Sequence, residues 1–458
     1  MAAEKITMKK IIVTAFIIAT TVAHAQTVLP LLKISTNKRF FQTAEGKPFF
    51  WLGDTGWLLF TKCDRETIVR YLDTRQQQGF NVIQVMVLHT LKATNAYGQT
   101  ALVNNNIAQP NTTGENNYWN TVDFTVREAE KRGIYIAMVP IWGSNVKEGK
   151  ITVEQAVVYA KFLAERYGRY NNIIWLNGGD IKGSDKIEIW KVIGATIKKY
   201  DPRHLQTFHP RGRSSSSEWF HSEAWLDFNM FQSGHKDYGQ DTTSNEKNHY
   251  GEDNWRFIQA DYRLKPVRPT IDGEPSYENI PHGLHDSLAK RWTASDVRRY
   301  AYWSVFAGGA GFTYGENAVM QFNMMGDKTA NFGVNDNWTN TIHAEGATQM
   351  QYLKKLMLSV SYFDRMPAQE IIAANTKDKY GYLLATKGKG YAMVYSYTGE
   401  NFSIDWSKLN FSPGRAGWFN PKDGSVSPIA NFSKNGMAAF DPPGDAGEGN
   451  DWVLVLQQ

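Results

Sequence analysis

Two carboxylates stand at the tips of apolar runs: Asp180, closing IIWLNGGD over residues 173–180, and Glu274, within TIDGEPSYE over residues 270–278. A short apolar run bounded by Gly and Pro reads as a buried strand, so each acid is delivered at a strand end. If the two strands open onto one pocket, one carboxyl group attacks a carbon centre while the other protonates the departing oxygen. This is the two-carboxylate chemistry of glycosidic-bond cleavage, and groups about 5 Å apart suit retention at the anomeric carbon. The attacking group must stay ionised and wants hydrogen-bond donors nearby. The acid must keep its proton near neutral pH, which partial burial and a negative neighbour promote.

The elements that must position these acids follow a regular rhythm. Residues 34–42 and 47–50 read as a strand pair turning at Glu45-Gly46. Strands are predicted at 49–53, 80–88, 134–141, 172–176, 205–208, 228–231, 270–273 and 311–314. Helices are predicted between them at 64–78, opened by Asp64, and at 119–132, 152–167, 186–200, 254–263, 294–307 and 346–360. Strand and helix in alternation, with near-continuous apolar strands, indicate a parallel α/β sheet, and the number of units favours a closed (β/α)8 TIM barrel. No glycine-rich phosphate loop follows any strand, which removes the commonest reason for an open nucleotide-binding sheet.

Asp180 and Glu274 lie 94 positions apart. A barrel of this kind uses roughly 31 residues per βα unit, so the two acids fall about three units apart, at strands four and seven. Such enzymes build their sites from the C-terminal strand ends. Collecting polar and aromatic residues there gives Asp54, Trp57, His89, Trp142, Asn177, His209, Gln232, His235, Tyr314 and Glu316 as substrate-binding candidates. Asp54 is placed to hold hydroxyl groups, Trp57 and Trp142 as ring platforms or core, and the histidines as ligand contacts or braces for carboxylates. Glu316 is the rival acid. Arg211 and Arg213 can meet a substrate carboxylate, although the tract RGRSSSS over 211–217 reads as a mobile solvated loop.

Beyond residue 364 the pattern changes to short alternating segments at 380–386, 390–397, 415–420 and 452–456, a small all-β sandwich. The expected organisation is therefore an export signal at 1–25, a barrel at 26–363 and a β module at 364–458. Lys5, Lys9 and Lys10 precede an apolar run at 11–22 and an Ala23-His24-Ala25 cleavage site, so an exported protein, periplasmic or extracellular, is expected with no membrane span after cleavage. One cysteine, Cys63, excludes an intrachain disulfide. Fifty basic against 45 acidic residues is a mixed balance rather than a nucleic-acid footprint. The 15 Trp and 22 Tyr are what both a large core and a sugar cleft need. No zinc spacing, calcium loop or G-x-S-x-G elbow occurs, and the chemistry needs no cofactor.

The motifs FWLGDTGW (50–57), WLNGGD (175–180) and DGEP (272–275) together resemble the apiosidase-like glycoside hydrolases over nearly all of the mature chain. The resemblance implies a barrel followed by a small module of the type labelled collagen-binding. It also implies Asp180 as acid/base, Glu274 as nucleophile, and release of apiose from the rhamnogalacturonan II side chains of plant pectin. Related barrel glycosidases place Asn-Glu at strand four, where this chain has Gly179-Asp180. Two other readings stay open: the same mechanism on another plant glycoside, and a non-catalytic carbohydrate- or matrix-binding protein. Bracing the barrel is the expected role of the module.

Overall fold

The computed structural model describes residues 28–458 except 243–246, 376 and 434, so the expected export signal lies outside the described residues. Strands whose side chains are buried on both faces need cover on both sides, and helices supply it. The strands are β1 (Trp51–Thr55), β2 (Val82–Met86), β3 (Tyr135–Val139), β4 (Ile173–Ile181), β5 (Gln206–Pro210), β6 (Asn229–Gln232), β7 (Thr270–Asp272) and β8 (Gly311–Tyr314). Each is followed by a helix: α1 (Arg65–Gln77), α2 (Tyr118–Lys131), α3 (Val153–Tyr167), α4 (Ile187–Tyr200), α5 (Ser217–Phe220), α6 (Trp255–Tyr262), α7 (Ala294–Phe306) and α8 (Glu345–Leu358). Side chains end the helices' search for a start: Asp64 accepts from Thr67 N at 2.8 Å, and Thr152 and Thr293 each form a capping box.

The parallel ladder runs β5-β4-β3-β2-β1-β8-β7-β6. Between β5 and β6 the ring is closed without a ladder, by the Thr207 hydroxyl donating to Phe228 O at 2.5 Å and Asp227 N donating to Gln206 O at 2.8 Å. The result is the nearly closed TIM barrel expected from the alternation of elements. Below it, short strands Leu32–Ile34, Phe41–Thr43 and Pro48–Phe49 form a plug. Phe41 meets Phe228 edge-on at 5.0 Å, and Phe49 meets Tyr135 at 5.2 Å. The strand expected over 34–42 is broken, because Ser35 and Asn37 turn the chain and Lys38 takes φ +64.

The tract 211–217 is not a solvated loop. Ser214–Ser215 pairs antiparallel with β6, and the Ser215 and Ser217 hydroxyls donate to buried Asp261 at 2.8 and 2.5 Å. Its serines satisfy an interior carboxylate, a role that composition alone does not reveal. Cys63 is fully buried.

The C-terminal region forms a six-stranded antiparallel sheet that includes Leu384–Gly388, Tyr391–Ser396, Arg415–Phe419 and Trp452–Gln457. A two-stranded sheet, Phe402–Asp405 with Met437–Phe440, packs on it through Ile404, Phe440, Val394 and Leu454. A second layer is what a sandwich requires, but its two strands are not among the segments read from the sequence, since four-residue strands carry too little alternation to stand out. Ring stacking joins the module to the barrel: Tyr395 lies on Tyr302 at 4.8 Å and Tyr382 on Trp255 at 4.3 Å. At the same interface Arg298 of α7 grips Asp451 through two bonds of 3.0 and 2.7 Å, both side chains being buried. Among the described residues no helix is long and apolar enough to cross a membrane.

A desolvated guanidinium stripped of its carboxylate is expensive to keep in place. Asp451→Ala is expected to cost about 3–5 kcal/mol, read as a fall in the urea midpoint. A midpoint equal to wild type would show that water replaces the pair.

Candidate active site

At the C-terminal ends of the strands lies a pocket of about 870 Å³ whose lining includes Asp180 and Glu274. A second hollow of about 810 Å³ sits on the module near Arg415 and Phe432, but no carboxyl or imidazole group lines it. The chemistry is concentrated at the barrel mouth.

Glu274 follows β7 after Gly273, a position where a Cβ would lie 2.5 Å from the Met230 sulfur. Gln84 of β2 reaches across the barrel to donate to Gly273 O at 2.7 Å, which fixes the main chain before the acid. Two imidazoles hold the carboxylate: His235 Nε2 lies 3.2 Å from Oε1 and His209 Nε2 lies 3.3 Å from Oε2. His209 is itself set by its Nδ1 contact to Pro210 O at 3.1 Å and by Trp57 edge-on at 5.4 Å. Burial pushes the Glu274 carboxyl up, but the bonds and charges of His209 and His235 outweigh it and bring the group down to about 2.

Asp180 reaches the pocket by a different device. β4 pairs with β5 through Gly178 and His209 and resumes at Ile181 and Pro210, so Gly179 and Asp180 form a bulge. Gly178, Gly179 and Asp180 take φ +94, +107 and +46 in succession. A Cβ at Gly178 would meet His209 O at 2.6 Å, and one at Gly179 would meet the Trp142 ring at 2.6 Å. Both glycines are required, and Asp180 carries the strain of a left-handed backbone. The bulge takes Asp180 out of the β4–β5 ladder, and its side chain lines the pocket. Asp180 is open to solvent through the mouth yet surrounded by protein on its other sides. Burial first, and the Glu274 charge second, push it up to about 6 against the pull of His209, His235 and Arg211.

Of the other residues expected here, Trp57, His89, Trp142, Gln232 and His235 line the pocket. Trp57 and Trp142 meet edge-on at 5.3 Å. Burial holds His89 below the ordinary imidazole range. His209 stands behind Glu274 as a brace rather than at the pocket surface. The other four, Asp54, Asn177, Tyr314 and Glu316, do not line the pocket. Asp54 is wholly buried, bound by Arg75 Nε at 2.6 Å and the Tyr71 hydroxyl at 2.5 Å. Asn177 donates to Trp190 O at 2.7 Å in α4. The Tyr314 hydroxyl donates to Glu278 at 2.6 Å. Glu316 caps the turn Asn317–Met320 at Val319 N and accepts from the Thr341 hydroxyl at 2.6 Å. A strand sends alternate side chains to opposite faces, and Asp54 and Asn177 turn to Arg75 of α1 and Trp190 of α4 instead of the mouth, while Glu316 lies beyond the end of β8.

The sequence reading missed Tyr277. Its ring meets His235 edge-on at 4.8 Å, and its hydroxyl accepts from Trp57 Nε1 at 3.2 Å. Its signal was its place three residues after Glu274. Arg211 and Arg213, read as loop residues, also line the pocket, as do Lys182 and Lys236. Among the described residues no group of three His, Cys, Asp or Glu side chains is arranged to hold a metal ion.

A (β/α)8 barrel with an unequal pair of carboxyl groups in its mouth is the architecture of a glycoside hydrolase. The chain belongs to the apiosidase-like family: the model described as "Apiosidase-like, catalytic domain" matches residues 35–364. A second model, "Putative collagen-binding domain of a collagenase", matches residues 366–457. The chain is similar to a solved structure titled "Glycoside hydrolase", with 43% identity over 94% of this chain and 98% of that one and a TM-score of 0.90. It is similar also to a glycoside hydrolase family 5 structure from Bacteroides vulgatus ATCC 8482, with 42% identity over 94% and 95% of the two chains and a TM-score of 0.90. A further structure from that organism, at 13% identity and a TM-score of 0.68 over 93% and 82%, shares the fold alone. No curated protein matches the chain.

Two measurements test this geometry. In carbon-13 NMR the Asp180 carboxyl is expected to titrate near 6; Glu274→Gln should lower that midpoint while burial keeps it above the ordinary aspartate value. An unmoved midpoint would uncouple the two groups. Asp54→Ala, by stranding buried Arg75, is expected to cost about 3–5 kcal/mol in chemical denaturation while leaving KM of the folded enzyme unchanged. A raised KM at full stability would return Asp54 to the substrate site.

Proposed function

We propose that this protein is an exported retaining glycosidase that releases apiose from the rhamnogalacturonan II side chains of plant pectin. The observation that carries the mechanism is the opposite setting of two carboxyl groups in one pocket: Glu274 held ionised by His209 and His235, Asp180 held protonated up to about pH 6. Ionised Glu274 attacks the anomeric carbon as the glycosidic oxygen leaves with the Asp180 proton. Asp180, now a carboxylate, takes a proton from water, which displaces Glu274 and returns the sugar with its original configuration. Trp57, Trp142 and Tyr277 offer ring faces and edges to the sugar from around the pair. The apiosidase-like description of the family supports the choice of sugar. The family 5 title of a relative at 42% identity supports the double displacement.

The pH profile follows from the signs of the two shifts. Activity needs the Asp180 proton and the Glu274 charge, so kcat/KM should fall as pH rises through about 6 and, on the acid side, only near 2. Asp180→Asn should lower kcat by about 10²–10⁴-fold on substrates with poor leaving groups and abolish the alkaline limb. Glu274→Gln should eliminate release of apiose from rhamnogalacturonan II fragments. Release of another pentose by wild type would keep the mechanism and remove the sugar. An inverted product in proton NMR would remove the double displacement. Binding without hydrolysis of any pectic or aryl glycoside would leave a carbohydrate-binding protein.

A further inference from the structure

His235 lies between Ser233, just after β6, and Asn254, just before α6, a stretch described here over residues 233–242 and 247–254. Its two ends grip one group at the tip of β7. The Ser233 hydroxyl donates to Asp272 Oδ2 at 2.7 Å, and Asn254 Nδ2 donates to the same oxygen at 3.0 Å. The inner face is tied to the barrel by Gly283 N, which donates to His235 O at 2.8 Å, and by Asp237, whose carboxylate lies 3.0 Å from His282 Nδ1.

The outer face rests on the module. Tyr238 packs edge-on against Tyr380 at 5.5 Å and donates its hydroxyl to Asp253 at 2.6 Å. The Tyr380 hydroxyl donates to Glu252 Oε1 at 2.8 Å, while the other oxygen of buried Glu252 pairs with Arg299 of α7. That guanidinium lies over the Tyr380 ring at 4.8 Å. Gly251 completes the seat, since at its φ of +55 a Cβ would stand 2.3 Å from the Tyr238 ring. Around Glu274 stand His209 from β5, Asp180 from β4, Tyr277 from its own segment, and His235. Of these four, His235 alone rides on the segment that the module touches.

We propose that Tyr380 is a positioning residue for the reaction: by holding Tyr238 and Glu252, it keeps His235 against Glu274. The module is then part of the catalytic apparatus as well as a brace. The proposal rests on Glu274 being the nucleophile. A displacement of the imidazole by about 1 Å, without any change at the chemistry itself, is enough to lower the rate strongly.

The test is a double-mutant cycle in the full chain between Tyr380→Ala and His235→Gln, with kcat and KM measured separately. Tyr380→Ala should lower kcat about 10-fold with KM changed less than about 2-fold, and should shift the His235 Nε2 resonance in nitrogen-15 NMR. In the His235→Gln background the same substitution should do nothing further to kcat. Tyr380→Phe, which keeps the ring and removes only the bond to Glu252, should fall between wild type and Tyr380→Ala. Because Tyr380→Ala can loosen the module, Gly251→Ala disturbs the same seat from the barrel side and should give the same kcat loss and resonance shift. An unmoved His235 resonance in both variants, or an equal loss of kcat in both backgrounds, would overturn the proposal. A wild type that hydrolyses no glycoside would instead remove the nucleophile on which it rests.

Discussion

Two carboxyl groups lining one pocket resist both being charged, and the architecture is arranged around breaking that symmetry. Like charges at short range in a poorly hydrated site raise each other's pKa, so an unaided pair shares its proton without assigning it. Here the assignment comes from unequal surroundings. Glu274 has an imidazole at each oxygen, whereas Asp180 sits on a bulge with burial and a negative neighbour to hold its proton. The groups responsible arrive from β4, β5, the segment after β6, and the end of β7. Four consecutive units of a barrel meet at one rim, which is why a closed ring of strands suits this chemistry.

Holding that rim in register falls to buried arginines. Arg75 binds Asp54, Gln78 and Ile342 O, tying β1 and α1 to the approach to α8. Arg298 ties α7 to Asp451 of the module and to Gln349 of α8, and Arg365 donates to Gly309 O at 2.5 Å from the linker between the two parts. Each guanidinium exchanges water for fixed protein acceptors, so a small misregistration is costly.

Much of this was legible in the linear chain. Apolar runs ending on Asp180 and Glu274, with a spacing of three βα units, place both acids at one mouth. Glycines and polar caps marked helix limits to within a residue or two. The errors came where one rule served two faces. Choosing polar residues at strand ends selected Asp54, Asn177, Tyr314 and Glu316 together with His89 and Gln232, because strand position does not tell which way a side chain points. The serine tract at 211–217 misled for a related reason: Ser215 and Ser217 are polar in composition but are spent inside, on Asp261.

By itself the sequence determined the alternation of elements, the barrel it implies, the β module after it, and which two acids end the fourth and seventh strands. These are local properties, written in hydrophobic period, turn residues and spacing. The tertiary structure alone decided that Gly179 and Asp180 form a bulge, that His209 and His235 converge on Glu274 from different units, that Tyr277 meets His235 edge-on, and that Tyr380 of the module touches the segment carrying His235. Each of these joins residues far apart in the chain, and such contacts are set by how the ring of strands closes and packs. No local pattern encodes that closure.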